Sequence, residues 1–547
     1  MKTQNGNLHL EIQNSRKNPV GILRTSFYDS GKVKHTQHGR ITGCSIPQLK
    51  LLQLAFRENV IAADDPQAFQ ILQSKEYGAS FALLEIIKQT GLKDAIYSRK
   101  EEWVNSVLAM IIGRIIYAGS KLSLSHLGDV TSLWELCGID GKVDVDKHCY
   151  LPMDRLLSRQ EAIQQKLAAK HLGDGKLVLY DITSSYLEGE YNDSKLVDFG
   201  YNRDGKKGHE QIVIGLICNS YGCPVGVEVF SGNTKDGTTV IKKIDEIKNT
   251  YGINEAVFVG DRGMITKPNL EYTRENGIRA ITALTRNAIN QLLEDKIIQP
   301  SLFDETNICE VVDSNNPIWR YCLCKNPIQA QRNKATRDSL LECTIEKLDQ
   351  VANYKRATTV AVLGSRIGKI FAQYGTGKYI SWSIKADNQE QSKNHQITWS
   401  INSKIIETEE QLDGCYIITS DVTADDMTAK EIVESYKKLI NVEKAFRNLK
   451  TVKLELRPIY HKKDERIKAH VFLCMLAYYV QWHMQQLLKS LTEESNGKNR
   501  RFAFDNIIET LKQITRNRVS VGGAEFYKIS QPTMAQQSIL ELLPIKL

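Results

Sequence analysis

Residues 176–189 read KLVLYDITSSYLEG, an apolar run that meets an aspartate and passes into a polar turn. Residues 255–261, EAVFVGD, repeat the pattern. Short apolar runs bounded by turn signals read as buried strands. Between them lie QIVIGLICNS and PVGVEVFSG, two strands joined in a hairpin with Gly222 in the turn, and then GTTVIKKIDEIKNTYG, a helix. Strand, hairpin, helix, strand is the order of a mixed α/β sheet, and the helix permits a parallel crossover. Asp181 and Asp261 are then expected at strand C-termini, the edge where α/β sheets bind ligands.

Working outward, three helical segments precede this core: LLEIIKQTGL, WVNSVLAMIIGRIIYAG and MDRLLSRQEAIQQKLAAK, with apolar residues three and four apart. The second carries Arg114 and is too short for a membrane span, so it reads as a buried helix. Short alternating stretches after residue 285 (IWRYCLCK, TVAVLG, KYISWSIK, HQITWSIN, CYIITSD) predict a mostly β insertion with one helical piece around QRNKATRDSLLECTIEKLDQV. The expected divisions are a basic N-terminal module (1–75), a helical region (76–172), the first part of the core (173–284), the insertion (285–425), the second part of the core (426–490) and a C-terminal region (491–547). The 547 residues carry a formal net charge of +8, which suits a polyanionic partner. The polar start, MKTQNGNLHLEIQNSRK, predicts no secretory leader. Eleven scattered cysteines without a CxxC pair predict reduced thiols and offer no zinc-ligand spacing. His209 and His470 read as structural.

A third acid lies in ESYKKLINVEKAFRNLK (434–450). Two helical turns take about 7.2 residues. Tyr436, Glu443 and Lys450, seven and seven apart, therefore share one stripe of a predicted helix, beside an apolar face of Leu439, Val442, Phe446 and Leu449. Alone, this is a solvated amphipathic helix, and a strand-end Asp alone is a turn residue. Together, two neighbouring strand-end carboxylates and a helical one suit divalent metals held against a phosphodiester. Arg447, four residues beyond Glu443, is placed to pair with it, and Lys and Arg outnumber Asp and Glu by about two to one from Lys430 to Lys468.

These segments resemble the DDE transposases of bacterial insertion sequences, in particular the large members of the insertion-sequence-four family. That family's signature is Tyr, two residues, Arg, three residues, Glu, six residues, Lys. Here Tyr436, Glu443 and Lys450 match, and Leu439 stands where Arg is expected, with Lys437, Lys438 or Arg447 as possible substitutes. VLYDITSSYLEG, GVEVFSGNTKDGTT, VFVGDRGM and LRPIYHKKDERIKAHVFLCMLAYY extend the likeness from about residue 100 to 490. The resemblance implies a ribonuclease-H-like catalytic core interrupted by the insertion. Asp181, Asp261 and Glu443 would be the catalytic and metal-binding triad, holding two Mg²⁺ ions for which Mn²⁺ can substitute. Tyr436, Lys450, Arg447, Arg262 and Lys438 would contact DNA. It implies double-stranded DNA as partner (terminal inverted repeats and target), a dimer or higher oligomer in the synaptic complex, no membrane, and a bacterial cytoplasmic, nucleoid-associated location. The expected activity is cleavage of element ends and their joining to target DNA. The alternatives are a transposase-derived DNA-binding protein without catalysis, and a related nuclease lacking strand transfer. Asp236 reads as a turn residue rather than a fourth ligand.

Overall fold

The computed structural model describes residues 8–14, 18–29, 31–58, 69–206, 208–304, 306–314, 316–452, 454–494, 502–521 and 524–547. Parts of the expected N-terminal module and C-terminal region (1–7, 15–17, 59–68 and 495–501) lie outside them. An eight-stranded mixed sheet organises the chain. Numbered in chain order, its strands are β1 (Leu177–Tyr186), β2 (Gln211–Asn219), β3 (Pro224–Ser231), β4 (Ala256–Val259), β5 (Ile278–Ala283), β6 (Cys309–Asp313), β7 (Asn316–Lys325) and β8 (Cys415–Ser420). Their spatial order is β6-β7-β8-β5-β4-β1-β2-β3. The central trio β5, β4 and β1 is parallel, and the strands on both flanks are antiparallel. Parallel pairing of β4 with β5 requires a crossover, which the helix Lys267–Glu275 supplies.

Seven helices matter below: α1 (Glu102–Ile116), α2 (Gln160–His171), α3 (Pro327–Ala352), α4 (Val360–Tyr374), α5 (Ala429–Lys437), α6 (Ile440–Arg447) and α7 (Asp464–Leu487). Helices α1 and α7 are apolar nearly all round and are buried accordingly, with α2 and the sheet, in one continuous core. Arg114, inside α1, is buried because its guanidinium donates to the carbonyls of Gly119 (2.8 Å) and Leu454 (3.5 Å). No described helix is long and apolar enough to cross a membrane. All eleven cysteines are free thiols.

Two sequence expectations change here. Asp181 does not end its strand: β1 runs on to Tyr186, with Asp181 opposite Leu216 of β2. The small and β-branched residues Ile182–Ser185 extend readily once β2 lies beside them. The insertion is also not mostly β. Helices α3 and α4, of 26 and 15 residues, dominate it, while β6, β7 and β8 belong to the central sheet. TVAVLG has the β-branched residues of a strand, yet Thr359 caps α4, and Leu363 and Ile367 bury its face at helical spacing. The excursion leaves and returns at one point. Lys325 pairs with Cys415 across β7 and β8, and Asn326 N–H donates to Gly414 carbonyl at 2.9 Å. Only glycine fits at 414, where φ is +71° and a Cβ would lie 2.3 Å from the Asn326 oxygen.

A strand that precedes the helical region pairs with a strand that follows the core. Strand Phe69–Glu76 pairs with Thr515–Val521, which pairs with Ala524–Ile529. A separate antiparallel sheet, Leu8–Gln13, Val20–Asp29 and Lys32–Ile41, packs with helix Ile46–Glu58.

Candidate active site

Main-chain register brings the two aspartates together. In the parallel pair β1 and β4, Leu177 lies opposite Val257, Val178 opposite Phe258, and Leu179 opposite Val259. Two residues further along each strand path stand Asp181 and Asp261. Asp181 stays on its strand and shares a face with buried Leu179, while Asp261 lies past the end of β4, close enough for its charge to bear on Asp181. Strand β4 stops at Val259, and the Asp261 carbonyl then accepts from Met264 N–H (3.0 Å) and Ile265 N–H (3.3 Å), opening a tight turn.

The third acid arrives on a broken helix. A capping box, Thr428 with Glu431, starts α5, which ends at Lys437; α6 begins at Ile440. A π-helical turn, Asn448–Val452, follows. The predicted continuous helix is therefore three pieces. Its Tyr436–Glu443–Lys450 side still faces the sheet. Tyr436 Oη donates to Asp261 Oδ1 at 3.3 Å. Glu443, exposed on α6, lies close enough to Asp181 to influence its ionisation. Burial is the main force on Asp181 and pushes it up to about 7; the charges of Asp261 and Glu443 add to this, while the Ile182 N–H and Arg203 oppose it. Burial, then the charge of Asp261, raises the Tyr436 phenol, so it remains a donor. Burial above all, with the charges of Asp261 and Glu443 added, makes Asp181 resist ionisation, and carboxylate oxygens are the hard donors that a divalent cation such as Mg²⁺ or Mn²⁺ takes.

Lys450 is turned inward. Its amine donates to Thr183 Oγ1 of β1 (2.5 Å) and to Asp204 Oδ1 (2.9 Å), and Arg457 reaches the same carboxylate oxygen at 2.6 Å. The Asp204 side chain is 4% exposed. Leu439, at the expected arginine position, is buried in the main core, which an arginine there would disrupt. Lys438 is half-buried, and Arg447 is exposed on α6. Arg262 is exposed beside Asp261 and lines a cleft of about 600 Å³ with Arg286, Asn333, Arg337 and Lys378. On the other side of that turn, Gly263 lines a second cleft of about 850 Å³ with Arg203, Lys235 and Asp236. The Asp261 turn thus stands between two clefts, each bearing cations.

Arg203, Asp204 and Arg457 were not singled out in the sequence. Arg203 N–H donates to Ser184 Oγ (2.8 Å), and its guanidinium holds Asp236 Oδ2 at 2.5 Å, near Asp181. Asp236 is occupied by that pair and by the turn into the following helix, as a turn residue should be. The signal for the cations was the polar run YNRDGKKGH (201–209), whose role depends on what it folds against. His209 stacks edge-on with Tyr186, and His470 is buried against Lys121 and the Leu456 carbonyl. Trp382 and Trp399 oppose each other on the insertion hairpin, and Trp319 packs against the main core.

The family profile described as "Transposase DDE domain" matches residues 174–480, more than half of the chain. The chain belongs to the DDE transposase family. The matched range spans both aspartates, the insertion and the Glu443 helix. No curated protein sequence matches it. Among solved structures, a piggyBac transposase synaptic complex with hairpin DNA is similar at a TM-score of 0.37 and 7% identity, over 80% of this chain and 82% of that one.

Proposed function

We propose that this transposase cleaves the terminal inverted repeats of a bacterial insertion sequence and joins the ends to target DNA, with Asp181, Asp261 and Glu443 as its catalytic carboxylates. The observation that carries the reading is that Asp261, two residues past the paired Val259 of β4, and Glu443 both lie within electrostatic reach of Asp181, two residues past the paired Leu179 of β1. On this reading residues 173–284 and 426–490 are two halves of a ribonuclease-H-like core of the insertion-sequence-four type, and the segment 285–425 between them adds β6, β7 and β8 to the sheet and carries the inserted excursion 327–413. The three carboxylates would hold two Mg²⁺ ions, or Mn²⁺, which when bound polarise the scissile phosphate and lower the pKa of an attacking water.

The chain's own residues do the rest. Tyr436 orients Asp261 through its hydroxyl. Arg203, fixed by Asp236, offsets the negative charge beside Asp181 before DNA arrives. Arg262, with Arg286 and Lys378 along its cleft, offers phosphate contacts that steer a DNA strand past the acids. Lys438 and Arg447 extend this basic surface along the Glu443 helix. Residues 76–172 would contribute end binding, and synapsis would bring two or more protomers together on DNA in the bacterial nucleoid.

The test is incubation with Mg²⁺ and DNA carrying the element's inverted repeat. End cleavage should occur and disappear in Asp181→Asn, Asp261→Asn and Glu443→Gln while DNA binding persists. Binding without cleavage under any divalent metal refutes catalysis. Cleavage without joining to a target plasmid identifies a nuclease instead.

A further inference from the structure

No histidine lies near Cys223 in sequence, but folding brings two distant ones to it. His171 ends α2, Cys223 closes the β2–β3 turn, and His483 lies on α7. One ligand atom from each lies within 4.8 Å of the other two. The two imidazole centroids are 5.4 Å apart. Cys223 is fully buried, and its sulfur approaches the Pro224 carbonyl at 4.0 Å, a weak contact for a thiol. His483 Nε2 is buried with no hydrogen-bond partner among the described residues. His171 Nε2 shares a 2.8 Å hydrogen bond with Tyr479 Oη, and the Tyr479 ring packs against His483 at 4.5 Å. Buried polar atoms are normally satisfied, so an orphaned imidazole nitrogen beside a thiol and a second imidazole needs an explanation.

We propose that His171, Cys223 and His483 bind one transition-metal cation of the zinc class. One sulfur and two nitrogens form a borderline-soft set that selects Zn²⁺ over Mg²⁺, unlike the all-oxygen acids of the active site. Metal–ligand bonds of about 2.0–2.3 Å put the ligand atoms of a tetrahedral site about 3.5 Å apart, so contraction by about 1 Å closes it. Side-chain rotation supplies that. The Cys223 thiol gives its proton to solvent as the metal–sulfur bond forms, and water completes the fourth position. Both histidines are part-exposed, which leaves a route inward for the ion.

The site would staple three elements. Its hairpin turn also receives Asn441 Nδ2 on the Ser220 carbonyl (3.1 Å) and Trp482 Nε1 on the Tyr221 carbonyl (3.3 Å). Asn441 is two residues from Glu443, so the ion would stiffen the support of the helix that carries the third acid.

Full-length protein stripped with chelator is titrated with Co²⁺. The expected result is one equivalent that produces a thiolate-to-cobalt charge-transfer band with strong visible bands of a tetrahedral site, all displaced by one equivalent of Zn²⁺. The sulfur band separates this site from the carboxylates. It should vanish in Cys223→Ser, weaken at least tenfold in affinity in His483→Gln, and persist in Cys218→Ser. In the unaltered protein, X-ray absorption of the Zn²⁺-loaded form should also show one sulfur and two imidazole nitrogens about the metal, which decides the matter even if a variant fails to fold. Absence of the band, its survival in Cys223→Ser, or a zinc environment without sulfur overturns the proposal.

Discussion

Replacing Lys450 with methionine separates two accounts of that residue. The family signature implies a DNA phosphate contact, whereas the structure commits the amine to Thr183 and Asp204. Methionine keeps the length of the stem and removes the charge. Asp204, whose side chain is 4% exposed, would keep, among the described residues, only Arg457 as a cationic partner. Breaking a buried ion pair by removing one member costs about 3–5 kcal/mol. The retained Arg457 contact places the expected loss near the lower end, about 3 kcal/mol. If Asp204 is the reason, Asp204→Asn in the same chain removes the uncompensated charge, and the double variant should recover about 1–2 kcal/mol through non-additivity. Urea unfolding of the wild-type, both single and the double variants measures all four corners. DNA binding by the folded single variant should keep its salt dependence. The reasoning is refuted if Lys450→Met unfolds at the wild-type urea midpoint while the slope of log affinity against log salt falls by about one phosphate contact.

Further tests bear on the acids and their supports. Asp181, pushed up to about 7 in the free protein, should lose about nine-tenths of its carboxylate form between pH 8 and pH 6, cutting Mg²⁺ affinity about tenfold; calorimetric titration at the two pH values checks this, and equal affinities contradict it. The sign for stability is opposite: the folded state binds the extra proton, so this group favours folding below about pH 4 and that contribution is lost as pH rises through 7. Tyr436→Phe removes one 3.3 Å bond and should cost stability no more than about 1 kcal/mol while weakening metal affinity by about tenfold through loss of Asp261 orientation; thermal unfolding and Mn²⁺ titration read the two effects. Gly222→Val places a Cβ 3.0 Å from Asn441 Cβ at a backbone φ of +86° and should destabilise by about 1–3 kcal/mol, measured as a lower urea midpoint; an unchanged midpoint would mean that the turn relaxes freely.

KLVLYD and EAVFVGD were legible because buried strands of a parallel centre are continuous apolar runs, and the pairing of Leu179 with Val259 leaves each run's aspartate two residues further on. The part of β1 beyond Asp181 was not, since nothing in ITSSY says that β2 will pair with it. The break at Lys438–Leu439 was hidden for a related reason: the spacing of Leu439, Val442 and Phe446 continues the apolar face straight through it. Seven-residue spacing nevertheless found the right side of the segment, because Tyr436 and Lys450 both reach the sheet. What Lys450 touches was beyond spacing: Asp204 lies 246 residues away, in a turn-rich run without periodicity. The histidines and Cys223 are equally remote from one another, so no motif could announce them. The helical character of the insertion was obscured where β-branched residues fill helix α4.

The insertion departs from β7 at Asn326 and comes back to β8 at Gly414 through one main-chain hydrogen bond, so its two ends are already as close as the ends of a tight hairpin. Residues 327–413 can therefore be regarded as cargo on a two-strand stem. Because its ends are pre-joined, lengthening or exchanging this segment adds little closure entropy for the sheet to overcome, and replacing it with a two-residue Asn-Gly turn should leave the strand order and the aspartate register intact. A lineage could trade one insertion for another at this point, altering what the protein grips while leaving its carboxylates where they are.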